Sequence, residues 1–507
     1  MVIGYFIKTM IPHYPLFING EFKETSKKQD VINPSTGEVI ATVSIAEAGE
    51  IDYAIKSARD AIDCGPWRNF TLAERKDFIL KISQGILDRA AELASLESLN
   101  AGKPIKETTF MDIPSAAATF DYFANNLEKY LAKENVEINS SIASAQSNLV
   151  REPQGVVVLI VPWNYPLLIA SWKLAQALAA GNAIILKPSS LTPLSVLELA
   201  KIIKEAGLPA GAVNIINASG DTMGEALCSD SRVDMISFTG SNAVGRKILE
   251  YTSKNVKKVT MELGGKSAAI VLKDADLESA VNGLLCAIFL NQGQMCTAMS
   301  RILVEESIYD DFVNDFVAKA KRIKLGPALN FETQMGPLMS EAQRKKVLEY
   351  VGKGKTEGGR LLCGGGIPQQ EEFKKGFFFE PTVFGDASPK MKIFKEEIFG
   401  PVACISKFSS IEEAAALAND CVFGLAASVW SKDGSKAKNL AKVINAGTVW
   451  VNTYGMFFNE LPYGGFKQSG FGKELGKEGL LEYTRLKNIV TDKTEGSKPL
   501  VNYWYGF

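Results

Sequence analysis

Residues 155–190 read GVVVLIVPWNYPLLIASWKLAQALAAGNAIILKPSS. Two short apolar runs of strand length, 155–161 and 183–186, flank a helical stretch at 167–179. The same unit repeats outward: helix at 193–206, strand at 213–216, short helix at 223–228, strand at 235–238, helix at 243–253 and strand at 258–262. Repeated βα units predict a parallel sheet with helices on both faces. Such sheets bind ligands beyond the carboxyl ends of their strands. The apolar stretch 156–170 is broken by Pro162, Asn164 and Pro166, and is too short and polar to span a bilayer.

A second alternating block follows, with strands at 268–272 and 301–304, helices at 277–289 and 308–323, and αβ units at 341–357 and 402–429. Upstream, 16–35 reads as short strands around the turn Asn19-Gly20, and 46–133 as mostly helical. Residues 137–152 are polar and partly alternating, which predicts an exposed strand pair. The stretch 483–491 reads as a strand without a partner in its own neighbourhood.

The 507 residues allow two to four domains, and 46% apolar with 22% charged residues is a globular composition. The formal net charge is −1 with no basic stripe, which argues against nucleic acid as a partner. The start of the chain lacks a basic segment followed by a clean apolar core, so no secretory leader is expected. Seven cysteines without a CxxC pair suggest neither a disulfide framework nor a metal site, and favour the cytoplasm. The single histidine, His13, lies near the N-terminus. Any cysteine nucleophile elsewhere therefore needs another base, and a carboxylate is the natural substitute.

Five places carry chemistry-bearing residues. Phe238-Thr239-Gly240-Ser241, with Gly245 early in the next helix, is a glycine-bearing turn from strand to helix that can offer backbone N–H groups to phosphate. Lys187 ends a strand before Pro188, where it can reach a ribose hydroxyl or a phosphate. Glu262 ends another strand, and Gly264-Gly265 behind it suggest close backbone approach. Cys296 sits in the polar, glycine-containing stretch 291–297, unlike the usual buried cysteine. Asn164 lies directly beyond a buried strand, where its amide can donate to an oxyanion.

Together these segments resemble the aldehyde dehydrogenase superfamily from about residue 16 onward. The matching stretches are 162–166, 186–189, 238–245, 262–266, 293–296, 396–401 and 462–476, in the family's order and near its spacing. The resemblance implies an α/β fold with a variant Rossmann cofactor domain at 16–136 and 153–263. It also implies an α/β catalytic domain at 264–476 and a β bridging element at 137–152 and 477–507. That element would pair with a neighbouring subunit, giving a dimer or a dimer of dimers (a homotetramer).

Carried over position by position, Cys296 would be the nucleophile, forming first a thiohemiacetal and then a thioester. Asn164 would hold the oxyanion and Glu262 would be the base, with Lys173 and Glu474 relaying protons. NAD or NADP would be held by Pro162, Trp163, Lys187, Ser190, Gly240, Ser241, Gly245, Leu263, Glu397 and Phe399. Ser190 stands where many NAD-preferring members carry glutamate, which implies tolerance of a 2′-phosphate.

The segments 162–173 and 462–476, with the ending Leu500-Val501-Asn502-Tyr503-Trp504, look closest to betaine-aldehyde and aminoaldehyde dehydrogenases. Tyr165, Trp172, Phe457 and Tyr463 would then form an aromatic pocket suited to a cation. Leu290 stands where several strict members carry tryptophan, so the alternative expectation is a broad-specificity enzyme for aliphatic, aromatic or long apolar aldehydes. Acylating members generally lack the glutamate, so Glu262 favours hydrolysis of the thioester.

Overall fold

A computed structural model describes residues 11–139, 144–218 and 220–493. The ending 500–504 lies outside the described residues. Asn19 and Gly20 both have positive φ, at 55° and 80°, the geometry of a tight hairpin turn between Leu16–Ile18 and Glu21–Lys23.

That hairpin forms one edge of an eight-stranded sheet. Its centre is five parallel strands, in spatial order Lys258–Glu262, Met235–Thr239, Val156–Ile160, Ala183–Lys187 and Val213–Ile215. Numbered along the chain this is 5-4-1-2-3, a doubly wound order that reverses between Val156–Ile160 and Met235–Thr239. A crevice must open there, because the connections leave the two strands on opposite faces. The helix Pro166–Ala180 starts directly beyond the crevice and is apolar nearly all round, so it is buried along almost its whole length.

A second sheet has the order Arg360–Cys363, Thr382–Gly385, Val402–Phe408, Arg301–Glu305, Ala268–Val271, Ala426–Trp430 and Thr448–Val451. All of its pairings are parallel except the one made by Arg360–Cys363. The two sheets share chain: Gly470–Phe471, deep in the second block, pairs with Lys258–Glu262 at the edge of the first.

The strand pair read at 137–152 is Glu134–Asn139 with Ser144–Pro153. The tail strand Thr484–Asp492 finds its partner in the same chain, antiparallel to Ser144–Pro153, with Thr484 opposite Pro153 and Asp492 opposite Ala145. Pairing at a separation of over 330 residues leaves no local sequence signal, which is why the tail read as an orphan. The outer edges of this three-stranded sheet are Glu134–Asn139 and Thr484–Asp492. Among the described residues, no helix is long and apolar enough to cross a membrane.

Candidate active site

Two cavities meet at Thr239, Glu262 and Cys296, which line both. The first, about 460 Å³, runs along the crevice of the eight-stranded sheet. Pro162, Trp163, Lys187, Ser190, Gly240, Ser241, Leu263, Glu397 and Phe399 line it, as does Asn164. Gly245 does not. A Cβ there would meet Leu263 Cδ2 at 2.9 Å, so its small size serves the packing of the helix Asn242–Thr252 on Leu263.

This cleft has the chemistry of a site for an extended phosphate-bearing ligand. Ser241 is the N-cap of Asn242–Thr252, and its hydroxyl accepts from Val244 N at 3.4 Å. The free N–H groups of that helix end favour anions. Burial lowers the Lys187 ammonium to about 8, and its Nζ donates to the Pro188 carbonyl at 3.0 Å. The Glu397 carboxylate accepts from Gly265 N at 2.9 Å. Trp163 and Phe399 meet edge to face at 5.1 Å, and the Trp163 carbonyl is held by Thr192 Oγ1 at 3.0 Å.

The second cavity, about 350 Å³, is walled by Tyr165, Trp172, Leu290, Phe457 and Tyr463. Trp172 packs on Tyr463 at 5.5 Å and on Phe457 at 5.8 Å, and Phe457 packs on Tyr463 at 5.4 Å. Sequence reading missed Met111, Asp112, Met295, Thr297, Tyr454 and Glu460 on this wall, and Gln343 and Lys346 in the first cavity. Tyr454 had a usable signal: it follows the strand Thr448–Val451 at its carboxyl end. Met295 and Thr297 had one too, since they flank Cys296 in sequence; Met111, Asp112, Glu460, Gln343 and Lys346 come from other parts of the chain.

At the junction, Cys296 Sγ lies 3.5 Å from the Tyr463 hydroxyl. Burial pushes the thiol up to about 12; the Tyr463 contact opposes this, and the carboxylates of Glu397 and Glu262 add to it. The Glu262 carboxyl is buried, and neither of its oxygens has a hydrogen-bond partner among the described residues; the Gly465 amide faces it without closing a bond of normal geometry. Its acidity is therefore held well below that of an ordinary carboxylic acid, first by desolvation and then by the neighbouring Glu474 charge, against the opposing Lys173 and Lys473. A carboxylate in that state is a stronger base than one in water.

Gly264 and Gly265 explain the close approach. A Cβ on Gly264 would meet Glu397 Oε2 at 2.5 Å, and one on Gly265 would overlap the Cys296 carbonyl. Asn164 is buried, and its Nδ2 donates to the Gln294 carbonyl at 2.8 Å, which leaves its second N–H for another acceptor. Lys173 lines neither cavity. It pairs with Glu474 and donates to Ser237 Oγ at 2.8 Å, while Gln176 Nε2 donates to Glu474 Oε2 at 3.1 Å and Tyr483 donates to Ser237 at 3.1 Å. The antiparallel bridge between Tyr463 and Glu474 sets these two side chains beside Cys296 and Glu262.

A thiol, a basic carboxylate and an amide donor at the meeting of two cavities can perform acyl chemistry on a carbonyl. The sequence matches the Aldehyde dehydrogenase family over residues 22–489. It is 46% identical to the betaine aldehyde dehydrogenase of Bacillus subtilis (strain 168), covering 97% of this chain and 99% of that protein. It is 44% identical to the mitochondrial aldehyde dehydrogenase of Homo sapiens, covering 94% of this chain and 91% of that protein. A crystal structure of betaine aldehyde dehydrogenase from Staphylococcus aureus in complex with NAD+ superposes with a TM-score of 0.93 at 40% identity, covering 97% of this chain and 96% of that one. The chain belongs to the aldehyde dehydrogenase family.

Proposed function

We propose that this protein oxidises aldehydes to carboxylic acids with NAD or NADP, through a thioester on Cys296. The observation that carries the reading is the shared wall: Cys296 and Glu262 stand where the anion-suited cleft opens into the aromatic cavity. Glu262 takes the Cys296 proton, and the sulfur attacks the aldehyde carbon. The oxyanion of the thiohemiacetal accepts from the free Asn164 N–H and the Cys296 backbone N–H. A nicotinamide in the first cavity supplies a hydride acceptor, the chemistry that takes the thiohemiacetal to the thioester. Glu262 then deprotonates water, the water oxygen bonds to the thioester carbon, and the C–S bond breaks to return the thiolate. Glu474, Lys173 and Ser237 lie behind Glu262 as a route for the protons it collects.

Pro162, Trp163, Ser241, Gly240 and Leu263, which line that cavity, would hold the cofactor, with Lys187 and Ser190 toward its adenosine and Glu397 and Phe399 toward its nicotinamide. The substrate class is betaine aldehyde or an aminoaldehyde. Tyr165, Trp172, Phe457 and Tyr463 present aromatic faces, and the exposed Glu460 adds a carboxylate at the mouth. A second reading, a broad-specificity enzyme for apolar aldehydes, draws support from Leu290 and from exposed Met111 and Phe458 on the wall of that cavity.

The open edges of the three-stranded sheet, with exposed Val136, Ile138, Ile489 and Val490, support assembly as a dimer or dimer of dimers. All seven cysteines are free thiols, which supports a cytoplasmic setting. A panel of betaine, amino, aliphatic and aromatic aldehydes, read as NAD(P)H formation with Cys296→Ala as control, tests the reading. Near-normal turnover by the control would sink it; preference for the cationic aldehydes separates the two substrate classes.

A further inference from the structure

Glu97, Lys103, Glu107 and Asp112 are buried together beside the aromatic cavity, and the chemistry above uses none of them. The Lys103 ammonium pairs with Asp112 and lies 3.6 Å from the centre of the Tyr165 ring. One cation thus serves three carboxyls. Two of those carboxyls grip backbone near the reacting groups. Glu97 accepts from Leu167 N at 3.2 Å, just beyond Asn164, and is itself held by Ser195 Oγ at 2.7 Å. Glu107 accepts from Asn291 N, its two oxygens at 3.1 and 3.2 Å.

Asn291 opens the loop that ends at Cys296. Asn291, Gln292 and Gly293 all have left-handed backbone, with φ of 46°, 58° and 72°. Consecutive non-glycine residues in that region persist only where the surroundings over-determine them. The constraints are visible. Asn291 Nδ2 donates to the Asn164 carbonyl at 2.9 Å, Asn164 Nδ2 donates to the Gln294 carbonyl at 2.8 Å, and Met339 N donates to Gln294 Oε1 at 2.9 Å. Glu107 is the carboxyl that anchors the loop at its first residue. A π-helical turn, Thr108–Asp112, separates it from Asp112, an irregularity of the kind found at functional places.

We propose that Glu107 is a positioning residue whose carboxyl, through the Asn291 N–H, sets the loop 291–296 so that Cys296 faces the Asn164 amide. This rests on the roles given to Cys296 and Asn164 above. What matters is an acceptor at the right reach, not a charge. Burial pushes Glu107 up to about 8, with Asp112 adding and Lys103 and the Asn291 N–H opposing, so near neutral pH a carbonyl oxygen does the accepting.

Steady-state kinetics of Glu107→Gln and Glu107→Asp, with saturating cofactor and Cys296→Ala as control, test it. Glutamine keeps an acceptor of the same reach, so its kcat stays within about threefold of the parent. Aspartate keeps the acid but falls one methylene short, and its kcat drops about 100-fold with little change in KM. Parent-like kcat in Glu107→Asp overturns the proposal, and so does an equal loss in both variants. A deficit in Glu107→Asp that disappears when rates are normalised to folded protein, read by thermal unfolding, overturns it as well. An active Cys296→Ala instead removes the functional reading beneath it, whatever Glu107 does.

Discussion

Cys296 rests as a neutral thiol, pushed up to about 12 by burial and by facing carboxylates. Glu262 is likewise held protonated to higher pH than an ordinary acid. Once Glu262 ionises, taking the thiol proton only moves its negative charge onto the sulfur, so the step adds no further buried charge. Activity should therefore rise with pH along a limb well above the ordinary carboxylate range. In Glu262→Gln that limb disappears, and kcat falls about 100-fold or more. Stability moves the opposite way. The folded-state pKa of Glu262 lies above its unfolded value, so the folded state holds an extra proton in between, and stability falls as pH rises across that window. Glu262→Gln removes this penalty, so its melting temperature should exceed the parent's in alkaline buffer and approach it in acid. At the other end of the cleft, Ser190 presents no charge to a 2′-phosphate. The parent's NAD preference, as a ratio of kcat/KM, should stay below roughly a thousandfold, about 4 kcal/mol. Ser190→Glu should raise that ratio by repelling the phosphate.

The element that matters most is the strand Lys258–Glu262 with its glycine exit. It delivers Glu262 to the junction, and Gly265 lets the chain pass against the Cys296 carbonyl. Gly265→Ala should displace that peptide and lower kcat about 100-fold, since a shift near 1 Å at reacting groups has that effect. Stopped assays with soluble, folded variant check it; parent-like kcat would show that the peptide has room. The strand and its glycines were legible because alternation and glycine placement are local. The left-handed turn at Asn291 and Gln292 was not, because Asn is only a weak signal for positive φ without a following Gly, Gln is none, and the conformation is held by Glu107 and Asn164 from elsewhere in the chain.

For the whole molecule, the proposed assembly through the three-stranded sheet can be tested at its two edges. Ile489 and Val490 are exposed on the tail strand, and Val136 and Ile138 on the opposite edge strand. Ile489→Lys combined with Ile138→Lys should lower the mass measured by light scattering toward that of a single chain. An unchanged oligomer would move the interface elsewhere.

The sequence by itself determined the βα alternation, and through it a parallel sheet with its ligand site beyond the carboxyl ends of the strands; where the strand order reverses was decided by the tertiary structure. The sequence also singled out Cys296, Glu262 and Asn164 at the ends of strands and turns. Those features are written in periodicity, glycine placement and residue chemistry within a few positions of each other. Only the tertiary structure decided which cavity each side chain enters, that Gly245 packs on Leu263 and does not line the cleft, and that the tail pairs with Ser144–Pro153 of its own chain. It added Ser237 to Lys173 and Glu474, which the resemblance had already linked, and alone brought Glu107 to Asn291. Such contacts join residues tens to hundreds of positions apart, and they exist only once close packing and the exclusion of water force each buried polar group to find a partner.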